Sequence, residues 1–198
     1  YSTTITDGNY DDGEDAIYEL TVTSDTYVRI ILDPIGTEYT SLSLFDACPN
    51  VGSIIDEEYG STSDVRIIET LLTVGTYYVM IDTWPTPDCI AEYDFSIEEI
   101  CYEPIDLEAI NITYNSADIQ WTAGGVETAW NIKVNANNPI DPTMENGDIV
   151  ANDPVLSTPF YSLTPGTLTE ETDYYVYVQA DCGSDWVSYL FTTLSSCP

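Results

Sequence analysis

The sequence contains no histidine and only three basic residues, against 35 acidic residues. Without histidine, the chain cannot form a Ser-His-Asp or Cys-His catalytic centre, a histidine zinc site or an imidazole pH switch. Three cationic side chains are too few to neutralise a phosphate backbone or to hold an anionic lipid surface. We therefore expect no nucleic-acid partner and no electrostatic attachment to membranes.

Long apolar runs are also missing. No segment approaches the roughly 20 apolar residues of a transmembrane helix, so we expect no direct membrane insertion. Residues 1–7 include no starting Met and no basic or apolar signal segment, which indicates a mature or excised part of a longer protein. The hydrophobic content of 43% is nevertheless too high for a disordered acidic tail, so the chain should fold.

Strand-forming residues are abundant. The chain has 16 tyrosines against four tryptophans and four phenylalanines, together with many Thr, Val and Ile residues. Segments in which apolar and polar residues alternate, or in which apolar residues follow one another, recur about every ten residues and are separated by turns rich in Gly, Pro, Asn and Asp. They predict strands at 18–22, 26–32, 41–45, 65–70, 75–82 and 92–97, and then at 105–113, 117–122, 129–134, 147–151, 159–163, 173–181 and 186–193.

This spacing predicts an all-β fold of two tandem β-sandwich domains, because seven short strands in about 97 residues suit an immunoglobulin-like sandwich. The first domain should span residues 1–100 and the second residues 101–194. No Gly/Ser-rich linker separates them, so we expect a close joint. Residues 195–198 repeat the style of the Cys-Tyr-Glu-Pro segment at 101–104 and would begin a further module.

Five cysteines, none in a CxxC pair, favour disulfides over a metal site and hence an extracellular or cell-surface location. We expect one bridge in each half of the chain, Cys48 with Cys89 and Cys101 with Cys182, although other pairings remain open. Cys197 is left over; if a further module follows, it would pair with a cysteine beyond the end of this chain, and a chance cysteine near a tail is the alternative.

The second half resembles a fibronectin type III domain. The segment DYYVYVQA at 173–180, with Leu168 and Thr172 before it, follows the family pattern LxPxTxYxVxVxA, although Glu170 stands where the family often has Pro. Trp121 matches the buried tryptophan of the family's second strand. The resemblance implies an immunoglobulin-like sandwich of the variety found in secreted proteins of Bacteroidetes.

The first half resembles the bacterial pre-peptidase C-terminal domain, a jelly-roll-like β-sandwich attached to secreted peptidases and surface proteins. The resemblance is carried by the segments DAIYEL at 15–20, LSLF at 42–45, LTVGTYYV at 72–79 and YDFSI at 93–97. Neither family is catalytic by itself. Together, the two resemblances imply accessory or architectural modules of a longer exported protein.

An acidic segment at residues 7–15 is a candidate Ca²⁺ site. Alternating oxygen side chains around a glycine turn suit a hard cation with six to eight ligands, and some pre-peptidase family members bind calcium near their first strand. The spacing is not that of an EF-hand. A merely solvated acidic loop is the alternative. The candidate ligands are Asp7, Asn9, Asp11, Asp12 and Asp15.

Paired carboxylates can hydrolyse glycosidic bonds without histidine, but the acidic runs at 56–58 and 170–171 fall in predicted loops of small sandwiches, where we expect no catalytic cleft.

Outward aromatic side chains on strand 173–181 are candidate contacts with protein or glycan, with cross-strand pairing as the alternative. The two-residue period predicts that Tyr175 and Tyr177 face outward, and Trp186 belongs to the same candidate interface. Trp84, Trp130 and Tyr189 are further candidates for exposed patches.

These observations predict a non-catalytic, extracellular pair of modules from a bacterial surface adhesin or filament, acting in spacing, self-association or attachment. The partners would be copies of the chain, other modules of the same protein, or protein or glycan on another surface. The alternative is a pair of accessory domains of a secreted hydrolase, assisting substrate binding or export.

Overall fold

A computed structural model describes residues 15–84, 89–144 and 146–196. These residues form β-strands and no helix, so no helix in the described ranges is long and apolar enough to cross a membrane. The strands are β1 (Ala16–Val22), β2 (Thr26–Asp33), β3 (Thr40–Phe45), β4 (Ile54–Gly60), β5 (Arg66–Leu72), β6 (Gly75–Thr83), β7 (Asp94–Ile100), β8 (Ile105–Ile110), β9 (Ala117–Thr122), β10 (Trp130–Ala136), β11 (Asp148–Leu156), β12 (Phe160–Leu163), β13 (Asp173–Ala180) and β14 (Val187–Thr192).

The chain divides into two compact units, residues 1–100 (unit 1) and residues 101–198 (unit 2). Each unit has its own hydrophobic core and two antiparallel sheets, so the fold is all-β and consists of two tandem β-sandwiches. The predicted fold class is confirmed.

Unit 1 packs a four-stranded sheet, in the order β1-β6-β3-β4, against a three-stranded sheet, in the order β5-β2-β7. Alternate residues of β2 enter the core, namely Val28, Ile30 and Leu32, and their neighbours face away from it. Leu42 and Leu44 on β3 and Val79 and Ile81 on β6 fill the same core from the other sheet.

Strand β4 corrects the prediction that residues 56–58 lie in a loop. Its acidic residues pair with β3 in antiparallel register, with Glu58 opposite Leu42 and Asp56 opposite Leu44. An edge strand tolerates such residues because one of its sides faces water, and edge charges oppose pairing with another sheet. The Ser43 hydroxyl donates a hydrogen bond to Glu57 at 3.2 Å.

A buried arginine closes one end of the β3–β4 pair. Arg66 is 7% exposed, and its guanidinium donates to the carbonyls of Thr40 at 3.3 Å and Gly60 at 3.0 Å, and also to the carbonyl of Thr62. The Thr40 and Gly60 carbonyls lie where β3 begins and β4 ends, and the Thr62 carbonyl lies in the bend that follows β4. The guanidinium therefore satisfies backbone acceptors that the β-ladder leaves open there.

Unit 2 packs the sheet β11-β10-β13-β14 against the sheet β12-β9-β8. The predicted core position of Trp121 is confirmed, since it is 4% exposed and meets Trp130 edge-to-face with ring centroids 5.9 Å apart. Trp130 is equally buried, so its prediction as an exposed aromatic is wrong: it occupies an inward position of a central strand.

The corner before β13 is fixed by a tyrosine. The Tyr174 hydroxyl accepts a hydrogen bond from the Thr169 amide at 2.8 Å, and its ring stacks on Phe191 with centroids 5.5 Å apart. This is the tyrosine-corner arrangement of immunoglobulin-like sandwiches. With seven strands in sheets of three and four, it gives unit 2 a fibronectin type III-like fold.

A disulfide joins Cys101 to Cys182, as the sequence predicts, with the Cα atoms 5.8 Å apart. The bridge connects the segment before β8 to the turn after β13 across 81 residues of chain. In the chain-entropy treatment, a loop of this length stabilises the folded state by about 4–5 kcal/mol.

Candidate interaction surfaces

The predicted bridge between Cys48 and Cys89 is wrong: the structure shows both thiols free, Cys48 half-buried and Cys89 exposed. Cys48 lies in the turn beyond Phe45, which pairs with Tyr78 at one end of the β3–β6 ladder. Cys89 lies beside Asp82 and Thr83, at the other end of that ladder. The ladder is about 17 Å long, whereas the Cα atoms of a disulfide lie within about 7 Å of each other.

Most of the candidate calcium ligands, Asp7, Asn9, Asp11 and Asp12, lie outside the described residues, as does Cys197. Asp15 is half-buried and directly precedes β1. In the part of the chain that the structure describes, no group of three or more His, Cys, Asp or Glu side chains is placed to hold a metal ion. The calcium site stays a prediction.

The candidate aromatic surface of unit 2 is smaller than predicted. Tyr177 is buried, because the chain after β10 folds across it, and its hydroxyl accepts a hydrogen bond from the Ile140 amide at 2.9 Å. Lys133, opposite Tyr177 in the ladder, donates to the Pro142 carbonyl at 2.6 Å in the same segment. Tyr175 and Trp186 are half-buried, and Tyr189 and Trp84 are partly exposed.

A second apolar surface lies on unit 1, where the sequence analysis placed none. The outward residues of its three-stranded sheet form three cross-strand rows, two of them largely apolar. Ile67 is 45% exposed and Leu71 is 40% exposed. We call this surface the Arg29 face; its residues are Ile67, Glu69 and Leu71 on β5, Tyr27, Arg29 and Ile31 on β2, and Ser96, Glu98 and Ile100 on β7.

The central row of the Arg29 face carries charge of both signs. Arg29 stands between Glu69 and Glu98 in the ladder, and its Nε atom lies 2.5 Å from the Glu69 carboxylate. The other two basic residues of the chain are engaged with backbone carbonyls, Arg66 in the unit 1 interior and Lys133 against the segment after β10. Arg29 is therefore the basic side chain that stands on an open sheet face.

The sequence does contain a signal for this surface. Both β2 and β5 have apolar residues at successive positions, in the runs TYVRIILD and RIIETLL, rather than strict alternation with polar residues. Such runs are typical of strands buried on both sides. In unit 1 one side of these strands forms the core and the other side forms the Arg29 face.

Comparisons with known proteins give neither a family nor a function. No protein-family model matches the chain, and no curated protein matches it. Among solved structures, a two-domain fibronectin type III segment of chicken tenascin is similar at 16% identity and a TM-score of 0.48, over 90% of this chain and 98% of that one.

Two single-domain similarities cover about half of the chain. One is to a computationally redesigned β-sandwich protein, at 24% identity and a TM-score of 0.39, over 48% of this chain and 93% of that one. The other is to a chain described as a myokine, at 21% identity and a TM-score of 0.36, over 46% of this chain and 96% of that one. Since all three TM-scores are below 0.5, the fold of unit 2 rests on its own strand order and tyrosine corner.

Proposed function

We propose that this chain is a non-catalytic pair of modules from an extracellular bacterial surface protein or filament, and that copies of it associate through the Arg29 face. The observation that carries the proposal is this apolar sheet face on a chain whose net charge is -32. On so acidic a chain, charged side chains keep the protein soluble over most of its surface. Apolar side chains gathered on one face mark a contact surface.

The charges of the face favour a second copy as the partner. In a two-fold symmetric contact, the same patch meets itself, so the central row of one copy lies across that of the other. Glu69 already contacts Arg29 within its own copy, and Glu98 lies on the other side of the row. Arg29 of each copy can thus meet Glu98 of the other, while the apolar rows pack together.

The size of the face makes this contact weak on its own. Nine residues on three strands cover about 300 Å², given the spacing of residues along and between strands. Stable interfaces bury about 800 Å² per partner. We expect a dissociation constant of about 0.1–1 mM for a single pair, which becomes effective when a filament or cell surface presents many copies.

The extracellular location is supported by the Cys101–Cys182 disulfide, since structural disulfides persist in oxidising compartments. The resemblance of unit 1 to the pre-peptidase C-terminal domain and that of unit 2 to fibronectin type III domains support an accessory module of an exported protein. The second candidate function, substrate binding beside a secreted hydrolase, is favoured by a groove on unit 2 that we describe below.

Sedimentation of the full chain tests the self-association. At physiological ionic strength, where charge repulsion between copies is screened, the sedimentation coefficient should rise with concentration into the millimolar range. The double variant Ile67→Thr/Leu71→Thr keeps strand-forming residues and should abolish the rise. Val51→Thr/Val74→Thr changes valines that are more exposed than Ile67 and Leu71 and lie outside the nine residues of the face, and it serves as the control.

A chain that stays monomeric at millimolar concentration contradicts the proposal. So does a double variant of the face that associates as strongly as the control.

A further inference from the structure

A groove of about 360 Å³ lies on the outward side of the β12-β9-β8 sheet in unit 2. Its volume falls in the range of about 300–1,000 Å³ that is usual for ligand sites. The groove is open to solvent rather than enclosed, so it suits a chain-like ligand that passes along the surface. Its lining includes Asp106, Glu108, Gln120, Thr122, Pro159 and Phe160.

Three of these residues form one cross-strand row. Gln120 on β9 lies between Glu108 on β8 and Phe160 on β12. The Gln120 amide donates to the Glu108 carboxylate at 2.5 Å, which fixes the orientation of both groups. Phe160 is 43% exposed although it lies in a strand, and the Pro159 carbonyl before it accepts a hydrogen bond from the Trp121 amide. The row thus presents an ordered carboxylate, an ordered amide and an open aromatic ring.

The next row along the sheet is ordered in the same way. Asp118 accepts hydrogen bonds from the Asn111 amide at 2.9 Å and from the Ser162 hydroxyl at 2.7 Å. These hydrogen bonds stabilise the carboxylate and lower the pKa of the Asp118 carboxyl. The outward side of this sheet therefore carries two consecutive rows of oriented polar groups rather than freely moving side chains.

A distortion of the first strand brings a second carboxylate to the groove. The β8–β9 register shifts between Ile105 and Glu108, and Asp106 within this bulge has a φ of 54°, which lies in the left-handed region. Bulges redirect side chains and are common beside functional sites. Asp106 lines the groove together with Glu108.

We propose that this groove binds a neutral glycan. The face of an aromatic ring packs on the C–H face of a sugar ring, while carboxylates and an amide exchange hydrogen bonds with neighbouring hydroxyls. The two carboxylates exclude anionic ligands such as phosphates, sulfated sugars and uronic acids. A cationic peptide would be attracted to most of the acidic surface of this chain, so charge alone does not single out this groove. The exposed ring of Phe160 and the Glu108–Gln120 pair do distinguish it, and they suit a sugar rather than a cation.

Binding is tested with the full chain and a panel of neutral hexasaccharides, namely β-1,4-glucan, β-1,3-glucan, α-1,4-glucan, chitin, xylan and mannan fragments. At least one should bind with saturable heat in calorimetry. Phe160→Ala should weaken that binding at least tenfold, and Glu108→Ala should also weaken it severalfold. The matched controls Tyr114→Ala and Leu190→Ala remove similarly exposed residues outside the groove and should leave binding unchanged.

The midpoint of thermal unfolding shows whether Phe160→Ala remains folded, and NMR shifts of the Gln120 side-chain amide report occupancy of the groove directly. The proposal is overturned if no member of the panel binds at millimolar concentration, or if binding is indifferent to Phe160→Ala. It is also overturned if a decalysine peptide binds through Glu108 while the glycans do not. Self-association of the Phe160→Ala variant should match that of the unaltered chain, so this proposal and the Arg29-face proposal fail separately.

Discussion

The two units stabilise similar sandwiches by different means. Unit 2 closes its sandwich with the Cys101–Cys182 disulfide and the Tyr174 corner. In the described part of unit 1 no disulfide is formed, and the buried guanidinium of Arg66 donates to two strand-end carbonyls and to one in the bend after β4. The difference implies that oxidising conditions govern the stability of unit 2, while unit 1 depends on one cation in a chain that has only three.

The largest expected effect is on unit 2. The double variant Cys101→Ala/Cys182→Ala should lower its free energy of unfolding by about 4–5 kcal/mol, because the unfolded chain regains the freedom that the bridge removed. Amide hydrogen exchange measured by mass spectrometry follows peptides of each unit separately. Unit 1 peptides should keep their protection. Equal loss of protection in both units would mean that the units do not unfold independently.

Arg66→Met should destabilise the other unit: the free energy of unfolding of unit 1 should fall by about 3–5 kcal/mol, while that of unit 2 should not change. Methionine preserves much of the volume but leaves buried carbonyls without donors, and hydrogen bonds to charged groups are the stronger ones. Arg66→Lys retains the charge without the planar fork, so the stability of its unit 1 should lie between that of the unaltered chain and that of Arg66→Met. An effect on unit 1 of less than about 1 kcal/mol in the same exchange experiment would show that Arg66 does not hold the strand ends.

Calcium would sharpen the comparison, because the candidate ligands belong to unit 1 alone. If the site forms, calcium at a hundredfold excess over its dissociation constant stabilises unit 1 by about 2.7 kcal/mol. Millimolar calcium should therefore raise the unfolding temperature of unit 1, and Asp11→Asn/Asp12→Asn should remove most of the rise. Magnesium at equal ionic strength controls for general screening. If magnesium matches calcium, the acidic segment is only solvated.

The smallest effect is the response to alkaline pH. The hydrogen bond with Tyr18 at 2.5 Å, together with partial burial, raises the pKa of Tyr93 from 10 to about 12. A raised pKa means that the stability from this pair is complete below pH 10 and is lost as the pH rises through 12. Tyr93→Phe should flatten the decline of unit 1 stability between those values.

Phenylalanine at position 93 cannot ionise, which is why the substitution isolates this contribution. In unit 2, burial and a hydrogen bond to Asp153 raise the pKa of Tyr161 to about 12 as well, so unit 2 serves as the internal reference. An unchanged decline in unit 1 of Tyr93→Phe, in denaturant titrations followed by the methyl NMR signals of unit 1, would show that the Tyr18–Tyr93 pair does not govern its alkaline stability.

Local patterns in the sequence were sufficient for most strands and for the fibronectin-like segment around Tyr174, through alternation in β9 and the spacing of Leu168, Thr172 and Tyr174. The bridge in unit 2 was expected from one disulfide in each half of the chain, an expectation that was wrong for unit 1. Strand β4 escaped because its acidic residues resemble a loop, and only pairing with β3 shows them to be an edge strand.

Features that depend on how strands pair could not be predicted. Proximity in sequence suggested a bridge between Cys48 and Cys89, but the antiparallel ladder of β3 and β6 places the two thiols at opposite ends. The burial of Tyr177 depends on where the chain after β10 folds, and the three cross-strand rows of the Arg29 face depend on the registers of β2, β5 and β7. A short stretch of sequence does not determine any of these features.

The most direct test of the central claim is a charge exchange across the Arg29 face. Arg29→Glu and Glu98→Arg are prepared as separate chains, and sedimentation is measured for each alone and for their equimolar mixture. Each variant alone should stay monomeric, because like charges oppose each other across the two-fold contact. In the mixture, both cross-copy contacts between positions 29 and 98 again join a carboxylate to a guanidinium, so association should return. A mixture that remains monomeric, while the unaltered chain associates, would contradict self-association through this face.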